Sequence, residues 1–203
     1  MYFDIGSNIG KWSLANINRC NKIIAVEACP DTFKTLVNNC NNNIIPIQYV
    51  VCNNNEDDIV FYQANTNTLS TINKLWLTSP DSRFYKEPYK EIICKTITID
   101  KMIEIYGIPE LIKIDVEGGE YQCILSLSQK VENLCFEWAA ETNKITVLCL
   151  EYLQTLGFSK FYLQSTDEYL FRPDESIYYD IDTILNKLQN TIAKKDWGML
   201  WCK

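Results

Sequence analysis

The chain has no histidine among its 203 residues. That absence removes any imidazole general base, any Ser-His-Asp triad and any zinc site that needs a ring nitrogen, and leaves carboxylates, Lys, Tyr or Cys for proton transfer. There is no run of the roughly 20 apolar residues that a membrane-spanning helix needs. The first residues do not read as a secretory signal, so none is expected. No repeat and no Pro-, Gly- or Ser-rich linker interrupts the chain, so no domain boundary is visible. Basic excess is absent too. With 26 acidic against 19 basic side chains the net charge is −7, which argues against nucleic-acid binding. The late pair Lys194-Lys195 reads as a solvated helix end.

What is present is core material. The chain is 47% hydrophobic and 12% aromatic, and at roughly 150 residues per domain its length predicts one domain over 1–203. The nine cysteines (20, 29, 40, 52, 94, 123, 135, 149, 202) never approach a C-x(2–4)-C spacing, so structural zinc and thioredoxin-like chemistry are not expected, and no metal ligand set stands out. Their odd number without a signal peptide predicts free thiols in a reducing, cytoplasmic compartment, and Cys123 and Cys135 read as packing residues.

Apolar patterning alternates between strand and helix. Strands are predicted at Met1–Ile5, Lys22–Glu27, Ile44–Cys52, Ile59–Gln63, Ile92–Ile99, Leu111–Ile114, Val131–Phe136, Phe158–Leu163 and Trp197–Cys202. Helices are predicted from Gly10 to Asn18, from an Asp31 cap with Phe33, Leu36, Val37 and Cys40 on one face, from Asp100 to Gly107, from Glu120 to Leu125, over Ile145–Leu156 and over Asp182–Ala193. Ala64 to Glu91 is polar and irregular, a long excursion or insertion of the kind that forms lids and substrate loops. The alternation predicts an α/β fold around a mostly parallel sheet covered on both faces.

The chemistry concentrates at strand ends. Asp4-Ile5-Gly6-Ser7-Asn8-Ile9-Gly10 closes the first strand, and its glycines allow a tight turn into a helix and close approach of a ligand. Glu27 ends the second strand, where an acid can accept both hydroxyls of a ribose. A dinucleotide fingerprint reads G-x-G-x-x-G. Here the spacing is G-x-x-x-G, Trp12 stands where the third glycine belongs, and Asp4 would face phosphates with a negative charge. An acid there suits a ligand with an amine and a sulfonium, namely S-adenosylmethionine.

With these residues the chain resembles the FkbM family of class I methyltransferases. The resemblance rests on Asp4 to Gly10, on Val26-Glu27-Ala28-Cys29-Pro30 with Phe33, Leu36 and Asn39, on Thr98-Ile99-Asp100, and most sharply on Ile112-Lys113-Ile114-Asp115-Val116-Glu117-Gly118-Gly119-Glu120. It spans roughly two thirds of the chain. Ser7, Ala28 and Gly119 stand where Ala, Pro and Ala are commoner. Members usually carry sequence before the first strand, so this chain reads as a minimal version or a fragment.

The resemblance implies a Rossmann-like, doubly wound seven-stranded sheet of order 3-2-1-4-5-7-6 with the last strand antiparallel. It implies methyl transfer from S-adenosylmethionine, typically to a hydroxyl oxygen of a sugar, glycan or small metabolite. Asp4, Gly6, Ser7, Asn8 and Gly10 would line the methionine half of the cofactor, Glu27 would hold the ribose, and Asn53 would reach the adenine edge. Asp115 and Glu117 would face the point where methyl donor and acceptor meet, Asp115 first as the acid that takes the proton. Glu120 and Glu137 fit helix capping or backbone binding equally well. Tyr49, Tyr62, Trp76, Phe84 and Ser70 are candidates to touch a substrate. An NAD(P)-dependent oxidoreductase and a non-catalytic binding module remain the alternatives.

Overall fold

The computed structural model describes residues 1–53, 58–190 and 196–203. Its centre is a seven-stranded sheet, built from β1 (Tyr2–Ile5), β2 (Ile23–Val26), β3 (Ile44–Ile47), β7 (Leu111–Ile114), β8 (Asn133–Ala139), β9 (Phe161–Leu163) and β10 (Trp197–Cys202). The spatial order is β3-β2-β1-β7-β8-β10-β9. Counting only these strands along the chain gives 3-2-1-4-5-7-6. The β10 strand runs antiparallel to both its neighbours, and the pairings from β3 through β8 are parallel. The expected α/β, doubly wound Rossmann-like arrangement is therefore present.

The sequence explains why these runs are central. All four residues of β1, of β2 and of β7 are buried, as continuous apolar strands require when helices cover both faces. Side chains alternate across the sheet. Phe3, Ile5, Ile24, Val26, Ile112, Ile114 and Phe136 fill one face, whereas Tyr2, Ile23, Ala25, Leu111 and Cys135 fill the other with Trp12 of α1 (Lys11–Asn16). Asp4 and Lys113, directly paired in the register, are the polar exceptions on that second face.

Local chemistry shifts several element boundaries. The apolar run from Ile44 to Cys52 is two strands, because Gln48-Tyr49 turns the chain out of the main sheet. Ile47 pairs with Val26, but β4 (Val50–Val51) pairs with β6 (Tyr89–Ile97) in a second sheet of order β4-β6-β5, where β5 is Asp58–Ala64. Pro30 occupies the first turn of α2 (Pro30–Asn39), so Cys29 takes the cap position and Asp31 lies inside the helix. Thr98, not Asp100, caps α4 (Ile99–Tyr106) by accepting the Lys101 N–H, while Asp100 accepts the Ser128 N–H at 2.9 Å. The β8 strand runs past Glu137 because Trp138 and Ala139 are buried and pair with β10.

Within the excursion, a short 3-10 turn (Asn67–Leu69) and α3 (Lys74–Thr78) pack Leu69, Trp76 and Leu77 into a small cluster with Ala64 and Ala139. The later helices are α5 (Glu120–Ile124), α6 (Asn143–Thr155) and α7 (Ile181–Gln189). The expected end of α7 at Ala193 and the Lys194-Lys195 pair lie outside the described residues. No disulfide forms among the nine cysteines, and among the described residues no helix is long and apolar enough to cross a membrane.

Candidate active site

A cavity of about 630 Å³ opens above the carboxyl ends of β1, β2, β7 and β8, and a volume of this order suits a small molecule. Its floor is the turn after β1. Gly6, Asn8 and Gly10 all adopt left-handed backbone, with φ of 76°, 49° and 86°. Gly6 has no alternative, because a Cβ there would land on the Asp115 carbonyl group. The Gly6 and Ser7 N–H groups and the Ser7 hydroxyl all donate to the Val26 carbonyl.

That turn grips Glu27. The Asn8 N–H donates to its Oε2 at 2.9 Å and the Cys29 N–H to its Oε1 at 2.8 Å. Burial raises its pKa to about 7, against the pull of these two donors. Each carboxylate oxygen keeps a further lone pair, and Glu27 lines the cavity beside the apolar Val50, Val51 and Phe61.

Asp4 is placed differently from the sequence expectation. It is fully buried beneath the turn and outside the cavity lining. Its Oδ2 accepts the Ser13 hydroxyl at 2.6 Å, and the Lys113 ammonium lies 3.4 Å from its Oδ1. Lys113 Nζ also lies 3.1 Å from Asp115 Oδ2 and donates to the Gly6 carbonyl at 3.3 Å. Burial opposes the lysine's charge, yet Asp115 and Asp4 together hold its pKa above the ordinary value. Asp4 thus acts on the site through Lys113, because a carboxylate in the sheet interior needs a partner there. Gly10 heads α1 outside the lining. Asn53 is exposed, uses its N–H on the Gln122 carbonyl and does not reach the cavity.

The opposite wall is acidic. Asp115, Glu117 and Glu137 each bring a carboxylate oxygen within 4.8 Å of the others. Glu117 stands on a left-handed backbone (φ 56°) and accepts the Trp76 indole N–H at 3.0 Å. Burial first, then Asp115 and Glu120, raise its pKa well above the usual carboxylate range. Glu120, at the start of α5, instead turns back to accept the Val116 and Gly118 N–H groups at 3.1 and 3.2 Å, the capping role open to it in the sequence.

The excursion roofs the cavity. Asn8 Nδ2 donates to the Asn67 carbonyl at 3.1 Å and Asn73 Nδ2 to the Gly118 carbonyl at 3.1 Å, while the Arg83 guanidinium forks onto Glu141. Ser70, Tyr49, Trp76 and Phe84 line the cavity; Tyr62 does not, and packs edge-on against Tyr89. Sequence reading passed over Lys113, Asp167, Tyr169 and Trp197, all in the lining. Only Lys113 carried a signal, a charge inside an otherwise apolar strand.

The methyltransferase FkbM domain family matches residues 4–174. The chain belongs to the FkbM methyltransferase family. No curated protein matches it. Among solved structures, it is similar to a precorrin-6y C5,15-methyltransferase from Geobacter metallireducens, at 10% identity and a TM-score of 0.48, over 100% of this chain and 78% of that one. A likeness that distant carries no functional argument.

For this FkbM-family chain the family implies S-adenosylmethionine as methyl donor, and the donor set fits it. Glu27 retains acceptor capacity for two ribose hydroxyls, an apolar slot of Val50, Val51 and Phe61 adjoins it, and the acids at Asp115 and Glu117 lie across the same cavity.

Proposed function

We propose that the protein is a single-domain enzyme that methylates a hydroxyl oxygen of a sugar, glycan or small metabolite, using S-adenosylmethionine. The observation that carries this reading is one cavity with a ribose-type acid, Glu27, on one wall and Asp115 and Glu117 on the other. Ser7, Asn8 and Gly6 form the floor beneath the cofactor, and Ala28, Val50 and Val51 supply the apolar surface for its base. S-adenosylmethionine supplies, when bound, a methyl group already activated as a sulfonium. What the chain must add is alignment of the acceptor oxygen with that methyl group, and a destination for the hydroxyl proton.

Asp115, held by Lys113, orients the acceptor with Glu117, and the aromatic Tyr49, Trp76 and Phe84 offer faces to an acceptor ring. The G-x-x-x-G turn and the buried acid below it speak against a dinucleotide pyrophosphate.

Calorimetry with S-adenosylmethionine and S-adenosylhomocysteine tests the reading. Binding is expected in the wild type and a loss of roughly 100-fold in Glu27→Ala, two charge-assisted hydrogen bonds being removed. Absence of heat with both ligands on folded protein refutes the cofactor. Asp115→Asn is expected to keep that affinity and lose turnover, read as methyl transfer to a panel of monosaccharides and glycosides.

A further inference from the structure

Glu137 was the acid whose role the sequence left open. Lys113 pairs with Cys135 across β7 and β8, so the next inward-facing positions, Asp115 and Glu137, reach the carboxyl edge side by side. A cluster of acids forms there by register. Its members differ in what holds them. Asp115 faces the Lys113 ammonium, and Glu117 accepts the Trp76 indole N–H. Among the described residues nothing hydrogen-bonds the Glu137 carboxyl, which lines the cavity.

We propose that Glu137 is the catalytic base of the methyl transfer. This rests on the methyltransferase reading above. In the step, the acceptor O–H proton passes to the Glu137 carboxylate as the acceptor oxygen bonds to the methyl carbon. The sulfur keeps the electron pair of the broken carbon–sulfur bond. Positive charge thus leaves the cofactor, a neutral ether forms, and Glu137 ends as a carboxylic acid that returns its proton to solvent.

Geometry and charge favour Glu137 over its neighbours. Asp115 is committed to an ammonium and one Glu117 oxygen to an indole, whereas both Glu137 oxygens are available. The charged groups around Glu137 are Lys113 on β7, Asp115 and Glu117 on the loop that follows, Glu120 on α5, and Arg83 in the roof. Burial, then the three acids, push its pKa well above the usual carboxylate range, with Lys113 opposing. A carboxylate with such a raised proton affinity is a better base for an alcohol.

The experiment uses the full chain in two arms. In the first, protein labelled with δ-13C-glutamate is titrated by NMR. The resonance missing in Glu137→Gln should titrate well above the ordinary glutamate range, and its midpoint should fall in Glu117→Gln. In the second, S-adenosylhomocysteine release is followed with a sugar that the wild type methylates. Turnover in Glu137→Gln should fall about 10²- to 10⁴-fold with S-adenosylhomocysteine affinity within about twofold of wild type. Glu137→Asp should recover part of the loss, and the rise of activity with pH should vanish in Glu137→Gln. An ordinary midpoint for Glu137, unchanged turnover in Glu137→Gln, or turnover that a chelator abolishes and Mg²⁺ restores overturns the assignment. Wild-type protein that binds no S-adenosylhomocysteine refutes the methyltransferase reading instead, and leaves the Glu137 midpoint measured by NMR in place.

Discussion

Burial holds the Glu27 proton up to about 7 although two backbone N–H groups favour its charged form. Ribose hydroxyls are best accepted by the carboxylate, so cofactor affinity should rise with pH and level off above about 7, as calorimetry across that range can check. The same shift acts on folding. An acid raised in the native state contributes stability below its unfolded value of 4.5, and loses it as pH climbs through about 7. Over two to three pKa units this is on the order of 3 kcal/mol. Glu120, also near 7, has the same sign. The melting temperature should therefore drop between mildly acidic and mildly alkaline pH, and Glu27→Gln should flatten part of that slope. Asp4 behaves otherwise. Its removal leaves Lys113 buried with one carboxylate fewer, so Asp4→Ala should cost about 3 kcal/mol in urea unfolding. The sequence assigned Asp4 to the ligand, whereas its carboxylate is buried on Ser13 and Lys113, because a motif records a residue's position and not the direction in which its side chain finds charge.

At the scale of elements, side-chain hydrogen bonds among the described residues tie the roof down at Asn67 to the β1 turn, at Asn73 and Trp76 to the loop after β7, and at Arg83 to Glu141. Its own apolar cluster is small. Segments held by few buried contacts open before the rest. Arg83→Ala should speed limited proteolysis between residues 64 and 91 several-fold while far-ultraviolet dichroism of the sheet and helices persists. The central strands were legible because their burial is continuous; Leu111–Ile114 and Trp197–Cys202 fall where their apolar runs do. Ile44 to Cys52 was not, since an apolar run carries no mark of the sheet in which each half will pair. The end of β8, expected at Phe136, was missed for a similar reason. The limit of β8 is set by its partner β10, some sixty residues downstream, and not by the residues around Glu137.

For the molecule as a whole, the order of the strands followed from a resemblance and not from patterning, because alternation of strand and helix fits several parallel sheets equally well. The family motifs also located both walls of the cavity. They said nothing of the roof, where acceptor selection falls to residues in irregular backbone. The register has a kinetic consequence. Glu27 and the turn that grips it come from the first 29 residues, and the acids from 115 to 137. In the sheet these two local halves are joined through β1 and β7, where Tyr2 lies opposite Leu111. Closing so long a loop is slow compared with forming helices or neighbouring parallel pairs. In refolding, helical signal should therefore return before the capacity to bind S-adenosylhomocysteine. The ion pairs of Lys113 with Asp4 across that seam would then form among the last contacts, so the arrival of binding times the closure of the sheet.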